Sequence, residues 1–215
     1  MNVAVRKPEP ITVDEFLKRL DAAPRDERWQ LIRGEIVRLM AGGTRRHAAI
    51  AMNIGVALSM AARRRGCRAL PDVFVRNTEI DDTVVAPDIL VECGPQDGGS
   101  RTVEAPVVVV EVLSPSTMVF DRGTKLAFYQ SLPSLRHIVL VYQDEMRVEA
   151  WSRPLLEGAT EEGGDFAAEP GDPADAPPWI YAVLHDAADH VELSVLDATL
   201  SVAEIYDRIE LPGTT

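Results

Sequence analysis

Residues 107–113 read Val-Val-Val-Val-Glu-Val-Leu, an apolar run that only Glu111 interrupts. A run of about four to eight aliphatic, mostly β-branched residues predicts a strand that is buried on both faces of a sheet. An unpaired carboxylate in such a strand costs several kcal/mol. Glu111 therefore needs a cationic partner, a raised pKa or a bound metal ion, and which of these applies largely decides what the protein does.

The composition indicates one domain with a sizeable core, because 46% of the 215 residues are apolar. No apolar stretch approaches the roughly 20 residues of a membrane span, and the N-terminus lacks the apolar segment of a secretion signal. Cys67 and Cys93 are far apart and form no CxxC pair, so we expect inert cysteines with neither a disulfide framework nor a zinc site. These features predict a cytoplasmic protein that does not enter a membrane.

The charge is spread unevenly along the chain, whose net charge is −12. Residues 1–76 contain 15 Lys/Arg and 8 Asp/Glu, whereas residues 77–215 contain 7 and 26. The net charge argues against nucleic acid as a partner, but a basic N-terminal part can still present a cationic face to a phosphate backbone. Scattered surface charges that keep the protein soluble are the alternative explanation.

Hydrophobic periodicity predicts one α/β domain with a central mixed sheet. Its predicted helices, the first of which follows a capping box at Thr12, are 13–20, 46–65, 114–132 and 201–209. Its predicted strands are a hairpin within 29–39, then 69–76, 83–93, 106–113, 135–142 and 147–152, and a last hairpin of 180–184 with 191–196. We expect the core at about 10–153, an acidic Gly- and Pro-rich loop at 154–178, and a C-terminal hairpin and helix within 179–215.

A second carboxylate is expected near Glu111. Asp88 follows Pro87, which belongs at a strand start, an edge or a bulge because it lacks a backbone donor. If the strand that begins at Asp88 neighbours the strand that carries Glu111, both carboxylates can converge on one point. Two carboxylates share a dry site as anions only when a divalent cation neutralises them. Oxygen ligands alone favour Mg²⁺ or Mn²⁺.

The helix that follows adds a lysine. Asp121, Lys125 and Tyr129 are spaced at i, i+4 and i+8, so they lie on one helical face. Asp121 and Lys125 either form an exposed ion pair worth about 0.3–0.5 kcal/mol, or they face the ends of the strands. In the second case Lys125 reaches Glu111 and orients an attacking water or stabilises charge at phosphorus.

These motifs together resemble the Uma-type restriction endonuclease family of the PD-(D/E)XK nuclease superfamily, over roughly residues 10–153. The matching positions are Gly34-Glu35, His47, Pro87-Asp88, Glu111-Val112-Leu113-Ser114-Pro115-Ser116, Asp121, Lys125 and Tyr129. The resemblance implies a restriction-endonuclease-like core, a sheet flanked by helices, and divalent-metal hydrolysis of phosphodiesters. It also implies that Asp88 and Glu111 bind the metal and that Glu35 is a further acid beside it.

One position departs from the superfamily pattern. The lysine expected two residues after the acid is Leu113, which can neither donate a hydrogen bond nor carry charge. Lys125 is the natural substitute, and Ser114 or Ser116 is a candidate for a contributing hydroxyl.

The remaining candidates each have a second explanation. Glu35 either tunes the metal or caps a surface hairpin. His47 either orients the substrate or is a core histidine, because it lies on the apolar stripe of its helix. Arg46 either contacts DNA or belongs to a solvated helix end. Tyr129 and Ser114 complete the candidate substrate contacts.

We therefore expect a Mg²⁺- or Mn²⁺-dependent endonuclease that cleaves DNA, with RNA or a repair intermediate as other substrates of the same chemistry. By superfamily analogy we expect a homodimer. The alternative is a non-catalytic binding or assembly protein that retains the nuclease fold, as Leu113 and the acidic net charge suggest.

Overall fold

The structure is a computed structural model that describes residues 9–24, 27–40, 43–95, 97–154 and 177–212. The strands in this part of the chain are β1 Glu27–Ile32, β2 Glu35–Met40, β3 Cys67–Pro71, β4 Phe74–Arg76, β5 Val84–Val85, β6 Ile89–Cys93, β7 Thr102–Val103, β8 Pro106–Leu113, β9 His137–Tyr142, β10 Val148–Ser152, β11 Ile180–Leu184, β12 His190–Leu193 and β13 Ala198–Ser201. The helices are α1 Val13–Leu20, α2 Arg45–Arg64, α3 Met118–Phe120, a π-helical turn Asp121–Lys125, α4 Leu126–Gln130, a 3₁₀ turn Ser194–Leu196 and α5 Val202–Ile205.

The centre of the fold is a six-stranded mixed sheet with the order β11-β10-β9-β8-β6-β3. Strands β8 and β9 are parallel and the other neighbouring pairs are antiparallel. Helix α2 and the C-terminal elements pack on one face of this sheet, and α4 packs on the other. Every residue of β8 is buried, as the valine run predicts. The mixed sheet flanked by helices is therefore confirmed.

A second sheet, of order β2-β1-β5-β4-β7, is covered by α1. The capping box at the start of α1 is present, since the Thr12 hydroxyl accepts from the N–H of Glu15. The predicted hairpin is also present, and Arg33 and Gly34 form its turn with φ of 49° and 74°. Glycine is required at position 34, because an added Cβ would lie 2.4 Å from Cβ of Pro10.

Two predicted strands are each divided between the two sheets. The segment 69–76 bends at Asp72, whose φ is 54°, so that its first half joins the central sheet and its second half the smaller one. The segment 83–93 is divided in the same way at Pro87 and Asp88. The apolar run does not reveal the second crossing, because Val85 and Ile89 on its two sides are both buried. The division at Asp88 places that residue at the mouth of the central sheet.

The predicted hairpin of 180–184 with 191–196 is wrong. Strand β11 instead pairs with β10 and extends the central sheet, which covers the edge of β10. Strand β12 pairs with β13 through a turn at Asp197, whose φ is 48°. The closing helix begins after Ser201 as predicted but is shorter, ending at Ile205. Most of the predicted acidic loop, residues 155–176, lies outside the described residues.

The prediction that the cysteines are inert and unpaired is also wrong. Cys67 of β3 and Cys93 of β6 lie directly opposite each other and form a disulfide. Their sequence separation of 26 conceals this pairing in the sequence. The antiparallel register of β3 and β6 brings the two Cβ atoms together, and it ties the end of α2 to the strand that starts beside Asp88.

Candidate active site

Asp88 and Glu111 meet at the same end of two neighbouring strands. Ile89 of β6 lies opposite Val110 of β8, so the next step of this antiparallel register brings Asp88 beside Glu111. Oδ2 of Asp88 accepts a 2.7 Å hydrogen bond from the N–H of Val112. The Asp88 side chain therefore adds a further link between the two strands. The Asp88 side chain keeps 15% of its surface exposed, whereas Glu111 keeps 4%. The predicted convergence of the two carboxylates is present.

Glu111 is bound by two side chains from the helical segment that covers this face of the sheet. Nζ of Lys125 lies 2.9 Å from Oε1 of Glu111, and the Tyr129 hydroxyl donates to the same oxygen at 2.6 Å. Lys125 also contacts Asp121 at 3.1 Å, and the side chains of this pair are only 4% and 5% exposed. The exposed Asp121–Lys125 ion pair considered above is therefore wrong, and the face with the i, i+4 and i+8 spacing is turned inward.

The ammonium of Lys125 is surrounded by oxygen atoms of the protein. It donates to Oε1 of Glu111 at 2.9 Å and to the carbonyl of Ala86 at 3.3 Å, and it forms an ion pair with Oδ1 of Asp121 at 3.1 Å. The Lys125 side chain is only 4% exposed. Its contacts and its burial favour a role in holding Glu111 over direct contact with a substrate.

The buried carboxylates around Glu111 outnumber the cations that compensate them. Burial raises the pKa of Glu111 to about 8, with the charges of Asp121 and Asp88 adding to the effect of burial and outweighing Lys125 and Tyr129. Burial lowers the pKa of Lys125, but the carboxylates around it outweigh burial and raise it above its usual value. The lysine is therefore charged, and a further cation is needed before Glu111 ionises readily at neutral pH.

His47 is the partner of Asp88. Its Nε2 lies 3.3 Å from Oδ2 of Asp88, and this hydrogen bond raises the pKa of His47 although burial opposes it. Burial tends to raise the pKa of Asp88, but His47 and the Val112 N–H outweigh burial and lower it. The Thr44 hydroxyl caps α2 by accepting from the N–H of His47 and donates to the buried amide of Gln143 at 2.8 Å. The cap thus fixes the end of α2 that carries His47.

The donor set fits a divalent cation that keeps other ligands. Three carboxylates, Asp88, Glu111 and Asp121, face one lysine and one histidine. Within the described ranges, no three or more His, Cys, Asp or Glu side chains are arranged to enclose a metal ion. Mg²⁺ is commonly bound by one or two protein carboxylates together with waters and substrate phosphates. Two carboxylates at the mouth of the sheet match that mode.

The other predicted site residues lie elsewhere or have structural partners. Glu35 is exposed at the start of β2, opposite Ile32 in the smaller sheet. Arg46 forms an ion pair with Asp144 and donates to the carbonyl of Glu210. The Ser114 hydroxyl bonds with the hydroxyls of Ser116 and Thr117 in the turn after β8. The structure therefore brings together Asp88, Glu111, Lys125, Tyr129 and His47, whereas Glu35 lies on a strand of the smaller sheet.

Leu113 occupies the position where the superfamily pattern has a lysine. Its side chain is 1% exposed and packs in the apolar cluster beneath α4, together with Val109 and Leu140. A lysine here would place its charge in that apolar cluster. Lys125 comes from the helical segment and reaches the acid from above the sheet, so it supplies the charge that β8 lacks.

Two supporting features were not singled out in the sequence. The carbonyl of Ala86 accepts from Lys125, and the amide of Gln143 accepts from Thr44. A threonine after two glycines and before a helix is an N-cap signal, so Thr44 could have been found. Ala86 and Gln143 meet their partners because distant segments pack together, and no local pattern marks these two residues.

An open groove of about 440 Å³ leads away from Asp88 between α2 and β3. Its wall on α2 includes Met52, Val56 and Met60, which are more than half exposed. Asp88 lies at one end of the groove, so the candidate site is open to solvent on this side, whereas Glu111 is closed in by the helical segment.

The chain matches the sequence model of the Uma2 family, described as "Putative restriction endonuclease", over residues 13–173. It belongs to this family. Two uncharacterized proteins of Synechocystis sp. are similar to it. One is 26% identical over 176 residues, which cover 78% of this chain and 77% of the relative. The other is 28% identical over 150 residues, which cover 66% of this chain and 81% of the relative.

A solved structure has the same fold. It is described as a "putative nuclease belonging to DUF820" from Anabaena variabilis, with a TM-score of 0.62 and 20% sequence identity. The likeness covers 94% of this chain and 100% of that one. The predicted restriction-endonuclease-like fold is thus confirmed, and family and fold together support a nuclease. None of the described helices is long and apolar enough to span a membrane.

Proposed function

We propose that this Uma2 family member is a Mg²⁺- or Mn²⁺-dependent endonuclease that hydrolyses phosphodiester bonds in DNA. The observation that carries the proposal is the meeting of Asp88 and Glu111 on adjacent strands, inside a cluster with more carboxylates than cations. A cation bound between them would offset this negative charge. It would also give the cluster the chemistry that the family description implies.

Asp88 and Glu111 are the residues that would hold the metal. When bound, the cation would polarise the phosphate and promote ionisation of an attacking water. Lys125 and Tyr129 both bind Oε1 of Glu111, and His47 binds Oδ2 of Asp88, so these three side chains fix the orientation of the two carboxylates. Lys125, Tyr129 and His47 are therefore positioning residues in this proposal.

The proposal includes several finer expectations. DNA is the expected substrate because of the family description, and RNA is the other substrate that the same chemistry allows. A homodimer and a cytoplasmic location stay predictions from the sequence. Size-exclusion chromatography with light scattering tests the first of these two, and cell fractionation tests the second.

The test is cleavage of supercoiled DNA, linear duplex, single-stranded DNA and RNA in Mg²⁺, Mn²⁺ or EDTA. Wild type should cleave at least one DNA substrate only with a divalent cation. Glu111→Gln should lower the rate by about 100-fold or more, which corresponds to about 2.7 kcal/mol of barrier. Glu92→Gln is the matched control, because Glu92 lies on β6 at the end away from Asp88. Metal-independent cleavage, or equal cleavage by Glu111→Gln, contradicts the proposal.

A second candidate function is a non-catalytic binding or assembly protein. The observation in its favour is that Lys125 is buried and contacts Glu111, Asp121 and the carbonyl of Ala86, as in a purely structural ion pair. Titration calorimetry with Mn²⁺ separates the two functions. Saturable binding that Asp88→Asn weakens favours the nuclease, whereas no binding by wild type favours the non-catalytic protein.

A further inference from the structure

A second buried glutamate lies on the same face of the central sheet as Glu111, two strands away. Leu140 of β9 lies opposite Glu111 of β8 and also opposite Glu149 of β10. Residues directly opposite each other on neighbouring strands point to the same face, and a strand spacing of about 4.8 Å puts the two glutamates roughly 10 Å apart. The Glu149 side chain is fully buried, so it needs cationic partners of its own.

Glu149 has two arginine partners and one tyrosine partner. Nη2 of Arg122 lies 3.1 Å from its carboxylate, Nη2 of Arg147 lies 2.6 Å from Oε1, and the Tyr142 hydroxyl donates to Oε1 at 2.7 Å. Two guanidinium groups therefore share one buried carboxylate, which leaves one positive charge in excess. Glu145 approaches Arg147 only to 3.8 Å and is itself more than half exposed, so water screens that contact.

The two arginine heads are fixed yet accessible. The side chains of Arg122 and Arg147 are 43% and 30% exposed, although the carboxylate that holds them is buried. Among the described residues Arg122 hydrogen-bonds only to Glu149, through Nη2, so those residues leave its other N–H groups available to a ligand. The guanidinium of Arg147 lies over the Tyr142 ring, 4.7 Å from its centroid. A guanidinium held in this way loses little freedom when it binds a phosphate.

These arginines are structurally continuous with the candidate active site. Arg122 belongs to the π-helical turn that also supplies Asp121 and Lys125, so one turn of helix contacts both buried glutamates. π-helical turns inside helices frequently occur at functional sites. Successive phosphates of one strand lie roughly twice the 3.4 Å axial rise apart, so the separation of about 10 Å corresponds to about one or two nucleotides.

We propose that Arg122 and Arg147, held by Glu149, form a phosphate-binding subsite for the nucleic-acid backbone about one or two nucleotides from the bond that is cleaved. The inference rests on the proposed nuclease function and adds residues that bind the substrate backbone. The subsite gives a chain of net charge −12 a local cationic surface for a polyanion. It carries no base recognition, because phosphate contacts set register without reading sequence.

The test is the salt dependence of phosphodiester cleavage by Arg122→Gln, Arg147→Gln and the double variant. Each single variant should raise KM about tenfold, keep kcat within about threefold, and flatten the slope of log(kcat/KM) against log salt by about 1. Arg122→Lys should restore the wild-type salt slope, because lysine keeps the charge. It should bring KM only part of the way back to the wild-type value, because lysine lacks the paired N–H donors of the guanidinium. Arg19→Gln is the matched control, since Arg19 pairs with a glutamate on α1 at similar exposure.

The outcomes distinguish this inference from the proposed function. If wild type cleaves nucleic acid and both variants match Arg19→Gln in KM and salt slope, the subsite is overturned and the nuclease proposal stands. If both variants lose kcat at an unchanged salt slope, the arginines only support the fold and the subsite is again overturned. If wild type neither cleaves nor binds nucleic acid with Mg²⁺ or Mn²⁺, both proposals are overturned.

Discussion

The hydroxyl of Tyr129 donates a 2.6 Å hydrogen bond to Oε1 of Glu111, and both side chains are buried. The same oxygen also receives the ammonium of Lys125. The acid in the valine run is thus bound by two groups from one helical segment. Both of these partners come from the helical segment and not from the sheet.

Tyr129→Phe should destabilise the protein by about 1–2 kcal/mol. The substitution keeps the packed ring but removes a hydrogen bond to a buried acid, and the acid loses one of its two donors. Urea unfolding at pH 7 measures the difference. Tyr181→Phe, which changes an exposed tyrosine of β11, should stay within about 0.5 kcal/mol of wild type. Equal stability of the two variants would show that the hydrogen bond to Glu111 contributes nothing.

Lys125→Met should lower the free energy of unfolding by about 3–5 kcal/mol, which is more than Tyr129→Phe does. It removes the cation between Glu111 and Asp121 and leaves buried carboxylates without compensation. The measurement is the free energy of unfolding in urea, with Lys18→Met on α1 as the matched exposed control. Millimolar Mg²⁺ should recover part of the loss if the cation binds beside Glu111. A loss no larger than that of the Lys18 variant contradicts the role given to this lysine.

The His47–Asp88 pair should make stability depend on pH in two windows. The pKa of His47 is raised in the folded protein, so its contribution is fully present below about 6.5 and is lost as pH rises through the folded value. The pKa of Asp88 is lowered, so its contribution is present above about 3.8 and is lost as pH falls through the folded value. Comparing urea unfolding of wild type and His47→Gln from pH 3 to 9 tests both windows.

Mg²⁺ should lower the pKa of His47, because a cation on Asp88 neutralises the carboxylate that raises it. An NMR titration of the His47 ring with and without Mg²⁺ gives this shift, and His47→Gln assigns the resonance. His190, which pairs with an exposed glutamate on β12, serves as the internal control. A His47 pKa that does not respond to Mg²⁺ argues against Asp88 as a metal ligand.

Reduction of the Cys67–Cys93 disulfide should destabilise the protein by about 3–4 kcal/mol, the chain-entropy value for a loop of 26 residues. Urea unfolding with and without a reductant measures the effect. A Cys67→Ser, Cys93→Ser double variant should not respond to the reductant. Thiol titration of the purified, unfolded protein provides an independent check, since two free thiols would show that the bond is absent under those conditions.

Local patterns were sufficient for several parts of the fold. The capping box at Thr12, the turn at Gly34 and the fully buried β8 all follow from short-range chemistry, and the structure has each of them. The spacing of Asp121, Lys125 and Tyr129 placed them on one face but left open whether that face was exposed. Periodicity within a helix defines its faces, and only the packing partner decides which face is buried.

The missed features depend on register between distant segments. Cys67 meets Cys93, and Glu149 meets Arg122, because particular strands and helices lie side by side. Strand β11 pairs with β10, and not with the next strand along the chain, for the same reason. No residue near any of these positions in the sequence indicates its partner.

By itself the sequence determined that an acid would lie in a buried strand, that Asp88 would stand at a strand start, and that Lys125 and Tyr129 would share a helical face. The tertiary structure decided the rest. It brought Asp88 beside Glu111, buried Lys125 among Glu111, Asp121 and the carbonyl of Ala86, and left Glu35 in the other sheet. The physical reason is that a local pattern of residues indicates which side chains will be buried and which will need a partner. Which group compensates a buried charge depends on which elements pack together.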